Sequence, residues 1–242
     1  MSERLFIAVP TKGRAGMVTT NVPGQILVVD QSQREMYSEL NRGAEIEVCP
    51  NFKSLAEKRN WIVDRFGHVF MLDDDIEKVI DMTTSKQITP DLAKKRIVWL
   101  YELALELGIS LFGFNNSPSP KHYNAMKPIV FKGFINGAAI GVIKNDKLRF
   151  TKETVAAEDY YINLINAYHF RRNLIDKRFC FKQNEAQTFV SPGGQSLNRT
   201  METEKNDTFF LRKMFGESVI LKNDIYTPDD SNPYARQLNI RL

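Results

Sequence analysis

The 242-residue chain is predicted to be an α/β protein: a single domain with a mainly parallel central sheet, helices on both faces and a C-terminal extension. Three observations predict this. Short apolar runs alternate with helical segments through the first hundred residues, at the spacing of βαβ units. Several of those runs end in acids or a glycine-containing loop, as strands do along the ligand-binding edge of such sheets. A composition of 43% hydrophobic and 26% charged residues is that of a globular chain long enough for one substantial core.

The elements follow in order. Leu5–Val9 reads as a buried strand, closed by the loop Pro10-Thr11-Lys12-Gly13-Arg14-Ala15-Gly16 with its two glycines and two cations. Gln25–Asp30 is a second strand ending in an acid. Ser32–Arg42 has helical composition, with Ser32 and Glu35 at capping-box spacing. Glu45–Cys49 is a third strand. Ser54–Phe66 is a helix that places Leu55, Arg59, Ile62 and Phe66 near one face, with Lys58 beside it. Residues 68–72 form a further strand. Thr89-Pro90 opens a helix that runs to Leu107 and stops at Gly108. Leu111–Phe114 is a strand, Asn115–Lys127 a proline-flanked loop, and Ile129–Phe150 a set of strands around Gly133, Gly137 and Gly141. Thr154–Phe170 is a helix with Glu158-Asp159 near its start. Arg178–Lys182 returns to strand, followed by a helix at Glu204–Phe215 and a strand at Ser218–Leu221.

A net charge of +4 permits an anionic partner without requiring one. Cys49 and Cys180 have no metal or redox spacing and fit buried thiols in a reducing compartment. The start of the chain lacks signal-peptide anatomy, and no apolar run approaches a membrane span, so a cytoplasmic protein without a membrane partner is expected. The oligomeric state is not legible.

The densest chemical signal is His-Val-Phe-Met-Leu-Asp-Asp-Asp at residues 68–75, an apolar run ending in three carboxylates. Hard oxygen ligands at a strand end suit Mg²⁺ or Mn²⁺ held against phosphates. The same triplet also fits a solvated acidic turn. If the backbone stays extended, Asp73 and Asp75 share a face and Asp74 points the other way. Asp30 is placed to accept from a nucleobase or ribose, or else to cap a turn. Lys12, Arg14, Lys58 and Arg59 are candidate diphosphate or base contacts. Lys12 and Lys58 fit solvated surface cations better, whereas Arg59 lies among apolar helix positions. Glu158-Asp159 fits either a helix-dipole complement or a general base acting on an acceptor hydroxyl. His68, His122 and His169 have no partner at metal-ligand spacing.

Taken together, Phe6-Ile7-Ala8-Val9-Pro10-Thr11-Lys12-Gly13-Arg14, Ile26–Asp30, Ser54–Asn60, Phe70–Asp75, Gly137–Gly141 and Glu158–Ile162 resemble, in order and spacing, a GT-A-type inverting glycosyltransferase. The resemblance covers residues 4–182. It implies a GT-A-like, Rossmann-like catalytic domain over 1–182 with an extension over 183–242 packed on it. It implies a nucleotide-sugar donor, commonly a UDP-sugar, and Mn²⁺ or Mg²⁺. The loop Pro10, Thr11, Lys12 and Arg14 would border the donor, Asp30 would meet the base and Arg59 the base or diphosphate. Asp73 and Asp75 would form the Asp-x-Asp pair for ribose and metal, with Asp74 between them also counted among the donor-binding residues. Asp159 would be the catalytic base beside Glu158. The further metal-ligating histidine that many members carry has no counterpart, His169 lying too close to Asp159 on the same helix.

The acceptor is open. The run His169-Phe170-Arg171-Arg172-Asn173, with Lys177-Arg178-Phe179-Cys180-Phe181-Lys182, mixes cations with aromatics, as a surface following a DNA backbone does. Some phage enzymes of this type glycosylate a hydroxylated DNA base. The same run also fits core aromatics flanked by solvated cations. A glycan or small-molecule acceptor, or an inactive nucleotide-sugar-binding or interaction module, are the other readings. A nucleotidyltransferase is a further alternative, although no glycine-rich triphosphate loop is evident. Gly193-Gly194 and Arg199 fit either a ligand loop or a surface turn.

Overall fold

The computed structural model describes residues 4–184, 199–226 and 231–240. The described elements are β1 (Leu5–Thr11), β2 (Gln25–Asp30), α1 (Arg34–Leu40), β3 (Glu45–Cys49), α2 (Leu55–Phe66), β4 (His68–Leu72), β5 (Ile76–Asp81), β6 (Lys86–Gln87) and α3 (Pro90–Glu106). They continue with β7 (Leu111–Phe114), β8 (Ile129–Val130), β9 (Ala139–Val142), α4 (Glu158–Phe170), β10 (Leu174–Asp176), β11 (Phe179–Gln183), α5 (Met201–Phe215), β12 (Val219–Leu221) and β13 (Arg236–Leu238).

The main sheet has eight strands in the order β3-β2-β1-β4-β9-β7-β10-β8. Six run one way, while β9 and β8 are reversed, each pairing antiparallel with its neighbours. Side chains alternate between two cores, as the period of a strand buried on both faces requires. Phe70 and Leu72 of β4 join α3 (Ile97, Leu100, Tyr101) on one side. Val69 and Met71 join α2 and α4 (Ile62, Val63, Ile162) on the other. Gly141 of β9 is needed for this packing, because a β-carbon there would stand 2.2 Å from the Phe112 ring. A smaller sheet, β11-β5-β6, packs Phe179 and Phe181 onto the first core. A third cluster joins Ala157 and Leu164 of the α4 region to Leu211, Val219 and Ile240 of the C-terminal part.

The expected α/β architecture with helices on both faces is present, and several local expectations need correction. β1 runs on through Pro10 and Thr11. Its pairing with β4 ends at Ala8–Met71, so by Pro10 the strand is paired on one side only, where a residue without an N–H is tolerated. The Ser32–Glu35 capping box does not form. A 3₁₀ turn occupies Gln31–Gln33, and the Ser32 N–H donates to Asn51 Oδ1 at 3.0 Å. A capping box forms instead at Ser54–Glu57, opening α2.

The buried stripe of α2 is Ala56, Lys58, Arg59, Ile62 and Val63, shifted from the face expected for Leu55 and Phe66. Between residues 129 and 150 only β8 and β9 are strands. Strands β5 and β10 were not expected. β5 is defined by its antiparallel partner β11, a hundred residues later, and β10 by parallel pairing with β7. No described helix is long and apolar enough to cross a membrane.

Candidate active site

The carboxyl edge of the main sheet gathers the ends of β1, β2 and β4, the entry to β9 and the amino terminus of α4. Asp73–Asp75 form the turn by which the chain leaves β4 and enters β5 in the smaller sheet. The Asp73 N–H donates to Ala138 O at 3.0 Å, fixing this turn against the approach to β9.

The three carboxylates have different surroundings. Asp74 is 7% exposed and both its oxygens are engaged. Oδ2 accepts from Thr11 Oγ1 at 2.5 Å and Oδ1 from Arg14 Nη1 at 2.6 Å. Asp74 therefore ties the β1–β2 loop to the triplet. Asp73 and Asp75 converge instead. Asp73 Oδ2 and Asp75 Oδ1 accept from the same Gln183 Nε2, at 3.2 and 3.0 Å. Their other oxygens accept from Arg59 Nη2 at 3.0 Å and Arg14 Nη1 at 3.1 Å respectively. The side chains of Asp73 and Asp75 keep 27% and 17% of their surface. Burial among protein atoms pushes the Asp73 pKa up to about 7 despite Arg59, with Asp75, Asp74 and Glu158 adding to the rise.

Arg59 is 1% exposed beneath this edge. Nη2 donates to Asp73 and to Gly137 O at 3.0 Å, and Nη1 lies 3.6 Å from Glu158 Oε1. Its guanidinium also stands 5.6 Å from the Phe150 ring centroid. So enclosed, it is engaged by protein groups rather than presented at the surface, unlike the diphosphate contact expected of it. It fixes Asp73 and places its positive charge between the two acidic pairs. Gly137 makes room for it: a β-carbon there would stand 2.6 Å from Arg59 Nη1 and 3.1 Å from Asp159 Cβ.

Asp159 adjoins this group through Gly137. Its Oδ2 accepts from the Gly137 N–H at 3.2 Å and its Oδ1 from the Tyr160 N–H at 2.8 Å. Burial, reinforced by Glu158, pushes its pKa up to about 6 against the opposing pull of Arg59. That places a carboxylate near the range in which proton abstraction is effective at neutral pH. Glu158 is 4% exposed behind it.

The remaining expected donor residues divide into a surface layer and a frame. Lys12 is exposed and reaches Asp30 Oδ2 at 2.9 Å and Phe52 O at 2.9 Å. Lys58, expected at the surface, is buried and pairs with Asp30 Oδ1 at 2.5 Å while donating to Thr11 O at 2.8 Å. Asp30 is thus 1% exposed with both oxygens in ion pairs, a geometry unlike the nucleobase contact expected of it. Pro10 and Thr11 are buried, and the Thr11 hydroxyl is shared between Asp74 and Tyr37. Lys12, Arg14, Asp73 and Asp75 are left lining the accessible edge.

Gln183 was not singled out from the sequence. Nothing local marks a glutamine at the end of a strand, and only the β11–β5 pairing, with its irregularity at Lys182/Gln183, brings it to the triplet.

The basic run does not adjoin the candidate base. Arg171 and Arg172 follow the far end of α4, about 20 Å from Asp159 by the length of a 13-residue helix. Arg172 donates to Leu107 O at 2.9 Å. Arg178 grips Asp176 with two bonds of 2.9 Å, and Phe179 and Phe181 are core residues. Phe179 and Phe181 are therefore unavailable for stacking on bases. His68 is buried with Nδ1 2.9 Å from the Tyr101 hydroxyl, and His122 and His169 are exposed. Arg199 pairs with Glu204, while Gly193-Gly194 lies outside the described residues.

Among the described residues no group of three or more His, Cys, Asp or Glu side chains is disposed to hold a metal. Two carboxylate oxygens converging on one hydrogen-bond donor fit a site completed by substrate, since Mg²⁺ is commonly held by one or two carboxylates plus phosphates.

No family model and no curated protein matches this sequence. Among solved structures the chain is similar to a cytidylyltransferase from Leptospira borgpetersenii serovar Hardjo-bovis, with 11% identity and a TM-score of 0.30 over 58% of this chain and 60% of that one. It is also similar to CMP:2-keto-3-deoxy-manno-octonic acid synthetase complexed with CTP, with 11% identity and a TM-score of 0.36 over 87% and 99%. Likeness at this level carries no functional weight.

Proposed function

We propose that the protein is a metal-dependent glycosyltransferase that moves a sugar from a nucleotide sugar, with UDP the first nucleotide to test, to an acceptor hydroxyl. The observation that carries this is the arrangement of two acidic pairs across Arg59. Asp73 and Asp75 each give one oxygen to the Gln183 amide and Arg59 joins Asp73 to Glu158, while Asp159 meets the same Gly137 backbone that Arg59 contacts. Two carboxylates for a cation and a separate carboxylate for a proton make up the minimum set for this chemistry.

Asp73 and Asp75 would hold Mn²⁺ or Mg²⁺, which when bound neutralises charge developing on the departing diphosphate. Arg59 keeps the Asp73 carboxylate oriented and Arg14 does the same for Asp75. Lys12, on the exposed rim, is placed to meet the nucleotide. The two oxygens that now accept from the Gln183 amide are the ones that would hold the cation. Asp159 takes the acceptor hydroxyl proton as the oxygen attacks the anomeric carbon, with its carboxylate oriented by the Gly137 N–H. The acceptor is thus any hydroxyl that reaches Asp159. The position of Arg171 and Arg172 gives DNA no support as that acceptor.

Incubation with a panel of nucleotide sugars and Mn²⁺ tests this. One donor is expected to release its nucleoside diphosphate slowly, and EDTA is expected to stop the release. If no donor binds or is hydrolysed, the proposal fails.

A further inference from the structure

Helix α4 carries the candidate base at its second residue but lacks a cap of its own. Its N-cap position is Ala157, which has no side chain able to accept from the first-turn N–H groups. The N–H groups just before it are satisfied from α5. Asp207 Oδ1 accepts from Val155 at 2.9 Å and Oδ2 from Ala156 at 2.8 Å. The same contact explains why α4 starts at Glu158 rather than at Thr154 as its composition predicts. Asp207 is 1% exposed.

Arg236 of β13 holds the same segment from a second side. Its Nη2 donates to Ala156 O at 3.3 Å, while Nη1 donates to Glu204 Oε2 at 3.1 Å and Thr208 Oγ1 at 2.8 Å. The guanidinium lies 4.9 Å from the Tyr160 ring centroid, and the Tyr160 hydroxyl donates back to Arg236 O at 3.2 Å. Residues 155, 156 and 160 are therefore all fixed by the C-terminal part, with Asp159 between them. Asp159 itself has contacts toward the sheet through Gly137.

We propose that α5 and β13 are the positioning element of the base, and that Asp207 is a positioning residue that sets where the α4 amino terminus, and so Asp159, stands against Gly137. This rests on Asp159 being the base in the reaction proposed above. A carboxylate displaced by about 1 Å loses on the order of a hundredfold in rate even when nothing else moves.

The test uses the full chain with Asp207→Ala and the isosteric Asp207→Asn, in which one acceptor becomes a donor facing a backbone N–H. Hydrogen exchange is expected to accelerate at least tenfold at residues 155–162 in both variants, leaving the β4–β5 turn unchanged. In turnover, kcat is expected to fall about 10- to 100-fold, with the donor Kd unaltered. Unchanged exchange at 155–162 in a folded variant overturns the inference, as does an equal loss in donor affinity and kcat. Should Asp207→Ala fail to fold, Asp207→Asn decides. If the wild-type protein transfers no sugar, the role of Asp159 falls, and the exchange measurement still decides whether Asp207 orders this terminus.

Discussion

Arg59 donates to the Asp73 carboxylate at 3.0 Å from a position that is only 1% exposed. The pair places a full positive charge under the acidic edge, where it also faces Glu158 at 3.6 Å. Removing one member of such a buried set leaves the others uncompensated, which typically costs about 3–5 kcal/mol.

Arg59→Ala is therefore expected to lower the melting temperature by roughly 10 °C, taking about 2–4 °C per kcal/mol for a chain of this size. Arg65→Ala is the control, because Arg65 meets Glu47 in an exposed pair worth about 0–1 kcal/mol. Thermal denaturation of both variants checks this. Equal, small shifts would show that Arg59 does not hold the edge together.

Gly137→Ala sets a methyl group against the Arg59 guanidinium and the Asp159 Cβ. Overpacking of this kind costs about 1–3 kcal/mol, and here the strain falls on the two groups that join the acidic pairs. Sugar transfer should drop at least tenfold while the protein stays folded by circular dichroism. Wild-type turnover in a folded Gly137→Ala protein would mean that Arg59 and Asp159 tolerate displacement.

The pKa of Asp159, near 6, predicts the pH dependence of transfer. If Asp159 is the base, the rate should rise about tenfold per pH unit below pH 6 and level off above it. Asp159→Asn should abolish that rise and most of the transfer, with donor binding retained. The effect on stability has the opposite sign. A carboxyl whose pKa is raised by folding stabilises the folded state below its unfolded value near 4, and that contribution is lost as pH rises through its folded value. Asp159 and Asp73, near 6 and 7, thus lower stability progressively from about pH 4 to pH 7. Asp73→Asn should flatten part of that decline in denaturant titrations at several pH values.

Arg171 and Arg172 stand at the opposite end of α4 from Asp159. Replacing both with Gln should leave donor affinity and transfer to a small acceptor within twofold of wild type. Arg172 should still cost about 0.5–1.5 kcal/mol through its lost bond to Leu107 O. A large loss of transfer would place an acceptor surface where the geometry puts none.

Much of the fold was legible because its strands are buried on both faces and carry apolar runs that end sharply, as in Leu5–Val9, Gln25–Asp30 and His68–Leu72. Strands β5 and β10 were not, because Ile76–Asp81 and Leu174–Asp176 become strands only through partners distant in sequence. The same limit applies to the site. Asp73, Asp75 and the Glu158-Asp159 pair stand out as charges at element ends, whereas Asp74 is set apart by a turn at residues 74–75 and its bonds to Thr11 and Arg14, not by the extended backbone that alternation assumes. Burial was not readable for Lys58, whose ammonium group is held by Asp30 and Thr11, residues far from it in the chain. Nor could any local pattern show Gln183 bridging two aspartates, or Asp207 satisfying the backbone ahead of α4. Long-range polar contacts leave no period in a sequence.

The proposed reaction requires Asp73 and Asp75 to hold a cation against the diphosphate of a nucleotide sugar. Calorimetric titration of the preferred donor, with and without Mn²⁺, into wild-type protein and Asp75→Asn tests it most directly. Mn²⁺ is expected to tighten donor binding by the wild-type protein at least tenfold and to have no such effect on the variant. Donor affinity that is the same in both proteins, whether or not Mn²⁺ is present, would contradict it.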